Sequence, residues 1–124
     1  MRIFKTKPFA RWARKEEISD TTLCGCARDI AAGKVDANLG GYLFKKRIPR
    51  PGQGKSGSYR IIVAFKSPED GRLFFLYGFP KNSKSNISTS DEYLLKIIAD
   101  RYINISDTVF RTVIRNGDLV EISE

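Results

Sequence analysis

Three segments with strand character follow one another in the middle of the chain, at Tyr42–Ile48, Tyr59–Lys66 and Arg72–Phe79. They are rich in Phe, Ile, Val and Tyr, which β-strands favour. A loop rich in Gly, Pro and Ser joins the first two, and the short turn SPEDG joins the last two. We therefore expect a meander of three antiparallel strands at the centre of the fold.

Before the meander, Arg2–Thr6 alternates apolar and charged residues as a strand does, and Pro8 stands where a short helix can begin. Ser19, Asp20 and Thr21 are candidate caps of a second helix, which ends near Gly33. Residues 33–41 are rich in Gly and predict a connection. We expect the two helices to pack as a hairpin, with Cys26 in the core and Cys24 nearer the surface. The apolar positions of the second helix are Leu23, Cys26, Ala27, Ile30 and Ala31.

After the meander, Ser88, Thr89 or Ser90 can cap a third helix. The residues that predict this helix recur at intervals of three and four positions: Tyr93, Leu94, Ile97, Ile98 and Arg101. A fourth, short helix after Ser106 and a final strand at Leu119–Ile122 complete the pattern. The 124 residues thus predict a single domain, residues 1–124, of the α+β class. We expect a small antiparallel sheet of about four strands, with an N-terminal helical hairpin and C-terminal helices.

Positive charge is concentrated in the same middle section. The chain carries 22 Lys and Arg against 14 Asp and Glu, a net charge of +8. Residues 37–90 hold ten of these cations and only two carboxylates, so that this section accounts for the whole excess. A local surplus of this kind is typical of a surface that binds a polyanion. The alternative is a solvated basic face that serves solubility.

The period-two alternation of strands places Lys45 and Arg47 on one face, pointing outward, and Lys46 on the other face near the sheet edge. Arg60 opens the next strand, and antiparallel pairing would bring it close to Lys45 and Arg47. We expect these three cations to form a cluster on the sheet surface that contacts phosphate, although a solvated edge is the alternative.

The loop between these two strands contributes Arg50 and Lys55 as further candidate nucleic-acid-binding residues. Its Gly54-Lys55-Ser56 resembles the end of a phosphate-binding P-loop, but Pro49 stands where the first Gly of that motif belongs. The segment also leads into a strand rather than a helix, which disfavours a nucleotide triphosphatase. A flexible basic hairpin loop able to close over a nucleic-acid backbone is the better interpretation.

Beyond the third strand, Lys81 and Lys84 add two cations. Tyr77, late in that strand, is a candidate to stack on a base or to donate to a phosphate. The alternative role for Tyr77 is core packing.

The chain contains no His and only two Cys, which removes the usual zinc, Ser-His and Cys-His sites. We therefore expect no metal and no small-molecule cofactor. In residues 1–17, charged residues interrupt the apolar ones every few positions, unlike the apolar core of a signal peptide. No apolar run in the chain approaches the roughly 18 residues of a membrane span. We expect a cytoplasmic protein with no membrane partner.

The segments KKRIPRPGQGKSGSYRIIVAF and FFLYGFPKNSKSNIS resemble the HigB-type branch of the RelE/ParE toxin superfamily. The likeness spans most of residues 3–103 and is most specific in the RPGQGK loop, the following YR and the short motif KN. It implies the toxin of a type II toxin–antitoxin pair, an endoribonuclease that cleaves ribosome-bound mRNA and inhibits translation. Its implied partners are mRNA, the ribosome and a helix-turn-helix antitoxin that covers the basic surface. The residues matching the family's catalytic positions are Lys45, Arg47, Arg60, Lys81 and Lys84.

Metal-free RNA cleavage is compatible with these residue types, because the ribose 2′-OH is itself the nucleophile. We hypothesise Lys45 or Arg47 near the 2′-OH, Arg60 on the scissile phosphate, and Lys81 or Lys84 near the leaving 5′-oxygen. The chain lacks an evident counterpart of the family's C-terminal Tyr, and which residue is acid or base stays open. Two other functions remain: a ParE-like inhibitor of DNA gyrase, and a non-catalytic nucleic-acid-binding module.

Overall fold

The computed structural model describes residues 1–50, 54–80 and 87–122, without the side chains of residues 50 and 54–57. The chain belongs to the α+β class, as predicted, with its helices and strands grouped in separate runs along the sequence. The strands are β1 (Arg2–Thr6), β2 (Ala37–Gly40), β3 (Leu43–Arg50), β4 (Gly54–Phe65), β5 (Arg72–Pro80) and β6 (Leu119–Glu121). The helices are α1 (Lys7–Lys15), α2 (Asp20–Ala31), α3 (Thr89–Ile103) and α4 (Asp107–Arg115).

One sheet of six strands, in the order β2-β3-β4-β5-β1-β6, carries the fold. The predicted meander is confirmed as β3-β4-β5, and the predicted final strand as β6. The expectation of about four antiparallel strands is wrong in two respects. β1 lies parallel to β5, with Ile3 opposite Leu73, and β2 adds a short edge strand. Local patterns do not predict either pairing, because β1 and β5 are distant in sequence and β2 is too short to show a clear alternation.

Helices α1 and α2 cover one face of the sheet. Thr6 caps α1 and Ser19 caps α2, each accepting a hydrogen bond from a main-chain N–H three residues later. The predicted helical hairpin is wrong: α1 packs chiefly on β5 and α2 on β3. The apolar sides of both helices, which include Phe9 and Leu23, join one core cluster with the sheet. Burial against the sheet therefore replaces packing of one helix on the other.

Both cysteines lie in this first core. Cys26 is buried, as predicted, but the expectation that Cys24 lies nearer the surface is wrong, because Cys24 is only 2% exposed. Burial raises the pKa of the Cys26 thiol to about 12. The Cys26 thiol therefore stays protonated at neutral pH and is a structural residue rather than a nucleophile.

Helices α3 and α4 cover the opposite face, over a second core built around aromatic rings. Phe74 stacks on Phe4 and on Tyr102, with ring centroids 5.4 Å away in both cases. Phe110 of α4 meets Phe4 edge-on at 5.0 Å, and the guanidinium of Arg72 lies 4.1 Å from the Phe110 ring centroid. These contacts fix α4 against the strands at the end of the sheet that is distant from β3.

Helix α3 begins after Ser88, one of the three predicted caps, whose side chain accepts from the main-chain N–H of Asp91. It packs on β3, β4 and β5 through the buried residues Leu95 and Ala99. Beneath it, Leu43, Ile62 and Ala64 are fully buried in the second core. Further along β3 the side chains on this face become partly exposed, and the basic residues lie there.

Candidate nucleic-acid interface

The candidate interface is a block of side chains on the α3 side of the sheet, where β3, β4 and β5 run next to one another. In the register of the sheet, Arg47 stands opposite Arg60, and Arg60 opposite Phe79. The neighbouring row on the same face consists of Lys45, Ile62 and Tyr77. The predicted proximity of Lys45, Arg47 and Arg60 is therefore present. We call these three cations the basic cluster.

Arg60 differs from the expectation of a surface cation, because only 7% of the residue is exposed. Its Nη1 donates a 2.7 Å hydrogen bond to Oγ of Ser58, which is fully buried. Within residues 1–50, 54–80 and 87–122 no carboxylate forms an ion pair with Arg60. A guanidinium that is buried and held by a hydroxyl group retains most of its positive potential for an anion.

Arg47 likewise has no counter-ion among the residues that the structure describes. Its Nε atom is buried and has no hydrogen-bond partner in the described part of the chain. The carboxylate of Asp36 instead accepts a hydrogen bond from the main-chain N–H of Arg47, and the N–H of Asp36 donates to the carbonyl oxygen of Lys45 at 2.9 Å. Asp36 thus fixes the outer edge of β3 through its main chain, and the described structure records no ion pair for the Arg47 guanidinium.

Placing two arginines opposite each other costs stability, because like charges on adjacent strands repel. The cost is larger here than at an exposed site, since burial weakens the screening by water. A phosphate placed between the two guanidinium groups would offset the repulsion and would accept hydrogen bonds from their unused donors. The arrangement is therefore suited to bind a phosphate group of a nucleic acid.

Tyr77 lies next to the basic cluster and is half-buried. Its ring centroid is 5.8 Å from that of Phe79, and the two rings are tilted by 39°. Together with Asp91, Leu94 and Leu95 it lines a cavity of about 260 Å³ under the first turns of α3. Both roles considered for Tyr77, core packing and contact with a base, are compatible with this position.

Lys46 lies on the opposite face of the sheet, as the alternation predicts. Its Nζ is 3.8 Å from a carboxylate oxygen of Asp29 on α2. Both residues line a separate cavity of about 210 Å³ with Cys26. The structure therefore does not bring Lys46 together with the basic cluster.

Four of the predicted site residues cannot be placed. Lys81 and Lys84, and the side chains of Arg50 and Lys55, lie outside the described residues. Two residues of the site were not predicted from the sequence. They are Ser58, which accepts a hydrogen bond from the Arg60 guanidinium, and Asp36, which anchors the main chain of β3. Ser58 stands two positions before Arg60, so period two predicts that they share a face; Asp36 gives no such local signal.

The described residues give no indication of a metal site, since no group of three or more Cys, Asp or Glu side chains in them is arranged to hold an ion. Among the described helices, none combines the length and the apolar character that a membrane span requires.

Comparison with known protein families gives one clear match. The family model described as RelE toxin of RelE / RelB toxin-antitoxin system matches residues 1–122, which is nearly the whole chain. A search of curated proteins found no match.

Proposed function

The chain belongs to the RelE toxin family of toxin–antitoxin systems, and on that premise we propose that it is a metal-independent endoribonuclease that cleaves ribosome-bound mRNA and so inhibits translation. The observation that carries this proposal is the opposed pair Arg47 and Arg60. Both side chains are at least partly buried, and neither forms an ion pair with a carboxylate of the described residues.

The reaction needs no nucleophile from the protein. The ribose 2′-oxygen attacks the adjacent phosphorus, its proton passes to a base, and the bond from phosphorus to the 5′-oxygen breaks as that oxygen takes up a proton. The products are a 2′,3′-cyclic phosphate and a 5′-hydroxyl. The protein must align the 2′-oxygen with the leaving oxygen and stabilise the extra negative charge on the phosphate.

Arg60 is the residue we place on the scissile phosphate, because Ser58 orients its guanidinium before substrate binds. Lys45 or Arg47 would lie near the 2′-OH, and Lys81 or Lys84 near the leaving 5′-oxygen. Tyr77 would stack on a neighbouring base. A preformed orientation of this kind favours catalysis, since the enzyme spends no energy on reorganisation at the moment of reaction.

Arg50, Lys55 and Lys46 are proposed to attract the RNA backbone at longer range, which is consistent with the ten cations and two carboxylates of residues 37–90. The partner that controls the activity is proposed to be a helix-turn-helix antitoxin, as in the HigB-type branch. No metal or small-molecule cofactor enters the proposal, and the cytoplasm is the compartment in which ribosomes and mRNA are available.

The test is tightly controlled expression in cells, followed by mapping of mRNA 5′ ends within minutes of induction. We expect growth arrest and new 5′ ends inside translated frames for the wild-type chain, and neither for Arg60→Ala. The matched control is Lys66→Ala, which removes an exposed cation just after β4 and should leave both unchanged.

Two outcomes would contradict the proposal. Growth arrest with intact mRNA and damaged DNA would indicate a gyrase inhibitor. Binding of RNA without cleavage in the presence of ribosomes, with a steep salt dependence, would indicate a non-catalytic module.

A further inference from the structure

The cavity of about 260 Å³ under the first turns of α3 has the lining of a ligand site. Among the described residues it is bordered by the aromatic ring of Tyr77, by Leu94 and Leu95, and by one carboxylate, that of Asp91. A single water needs only about 10–15 Å³ of such a volume, so the cavity has room for a planar ring system. Apolar walls with a few convergent polar groups are typical of sites for small rings.

The cavity stands one row of side chains away from the proposed phosphate site. Tyr77 is two residues before Phe79, which lies opposite Arg60 in the sheet. Diagonal neighbours of this kind on adjacent strands are roughly 7–8 Å apart. In a nucleotide, a single sugar joins the base to its phosphate. A nucleotide whose phosphate lies between Arg47 and Arg60 therefore brings its base within reach of the cavity.

Stacking alone would hold a base in this cavity without selecting which base it is. Tyr77 is half-buried, and its ring is 5.8 Å from that of Phe79, so it is held in place beside the opening. Leu94 and Leu95 of α3 add apolar contacts. Every base has a flat π surface, and stacking on an aromatic side chain therefore tolerates all four.

Asp91 supplies a group that distinguishes one base from another. Its carboxylate forms no ion pair within the part of the chain that the structure describes. The neighbouring carboxylate, that of Glu92, instead pairs with Lys96 at 3.2 Å. An ionised carboxylate accepts hydrogen bonds and donates none, so the base that fits must present N–H donors.

Guanine matches a carboxylate best of the four bases. The Watson–Crick edge is open in single-stranded RNA, and in guanine it carries two adjacent donors, N1–H and N2–H, one for each carboxylate oxygen. Adenine and cytosine offer one amino group beside an acceptor nitrogen, and uracil offers one N–H between two carbonyl oxygens. A cationic ligand would suit Asp91 but would be repelled by the basic cluster one row away.

We propose that Tyr77 and Asp91 form a pocket that selects guanine next to the scissile phosphate. Tyr77 stacks on the base, and the carboxylate of Asp91 accepts hydrogen bonds from N1–H and N2–H. The inference rests on the proposed function in that RNA is the ligand, but it concerns which base is bound rather than whether a bond is cleaved. Asp91 is thus a specificity residue and takes no part in moving protons.

The experiment measures binding of trinucleotides U-X-U, in which X is guanine, adenine, cytosine or uracil, to the purified chain by calorimetry. Each carries fluorine in place of every 2′-OH, which removes the nucleophile, so that binding is measured whether or not the chain is a nuclease. We expect the guanine trinucleotide to bind about fivefold or more tighter than the other three. Asp91→Asn presents one acceptor and one donor and should shift the preference to adenine.

Two further variants separate selection from stacking and from folding. Glu92→Gln makes the same change from carboxylate to amide at the adjacent position of α3, outside the described lining of the cavity, and should leave the order of affinities unchanged. Tyr77→Leu should weaken binding of all four trinucleotides by about fivefold or more and keep the preference for guanine. The Tm of each variant shows whether the fold itself is affected.

Three results would overturn the inference: equal affinity for the four trinucleotides, no binding of any of them, or a guanine preference that survives Asp91→Asn. The proposed nuclease can fail separately. Cleavage on ribosomes together with equal trinucleotide affinities would contradict the pocket and leave the nuclease in place. Selective binding of guanine that Asp91→Asn redirects, without cleavage of any message, would support the pocket and contradict the nuclease.

Discussion

Replacing Arg60 with Met is expected to abolish RNA cleavage and, at the same time, to stabilise the fold. Arg60 is 7% exposed, stands opposite Arg47 and hydrogen-bonds a buried hydroxyl group. Loss of the group that stabilises charge in the transition state should lower the rate of cleavage by roughly 100- to 1,000-fold. Removal of a buried cation that forms no ion pair with any carboxylate of the described residues should raise the free energy of unfolding by about 1–2 kcal/mol. Single-turnover cleavage assays and urea denaturation measure the two effects.

The matched control is Arg111→Met, the same substitution at an exposed position of α4, which should change neither quantity appreciably. Inorganic phosphate provides a second test: it should raise the Tm of the wild-type protein and not that of Arg60→Met, because only the wild type offers the paired guanidinium groups. An Arg60→Met variant that cleaves within fivefold of wild type, or that is less stable than wild type, would contradict this account.

Replacing Phe74 with Ala is expected to cause the largest loss of stability. The ring is fully buried and packs between Phe4 and Tyr102, with Phe110 edge-on at 6.5 Å. Its removal leaves a cavity between the sheet and both C-terminal helices, which should lower the free energy of unfolding by about 3–5 kcal/mol. Urea denaturation should show a lower midpoint with an unchanged m-value.

Phe74→Leu keeps much of the buried volume and should cost no more than about 1.5 kcal/mol, so that the prediction can be tested even if Phe74→Ala does not fold. Val120→Ala, at an exposed position on β6, should stay within about 0.5 kcal/mol of wild type. A loss below about 1.5 kcal/mol for Phe74→Ala would show that the aromatic core is not tightly packed around this ring.

The parts of the fold that local sequence determines were predicted well. Strand alternation and turn residues predict the meander β3-β4-β5, and Ser19, Ser88 and Ser106 cap helices near the expected positions. The parallel pairing of β1 with β5 was missed because it joins residues about 70 positions apart. Apolar residues lie on both sides of α3, so spacing predicts the helix without indicating which side faces the sheet.

In the candidate site, too, local sequence predicts some features, while others depend on tertiary structure. Period two predicts that Lys45 and Arg47 share a face, and antiparallel pairing predicts that Arg60 lies near them; the register shows both. The burial of Arg60 depends on how Phe79 and Ser58 pack around it, which is a tertiary property. The anchoring of β3 by Asp36 is equally invisible in sequence, because the carboxylate binds a main-chain N–H eleven residues further on.

The most direct test of the proposed function is cleavage, by the purified chain, of a message on programmed ribosomes in which one nucleotide is either ribose or 2′-deoxyribose. That nucleotide is the one on the 5′ side of the cut mapped in cells. The account predicts that the ribose message is cut to leave a 5′-hydroxyl end, and that the 2′-deoxyribose message is not cut at that position. Equal cleavage of both messages would show that the 2′-OH is not the nucleophile, and no cleavage of either would show that the chain is not a nuclease of ribosome-bound mRNA.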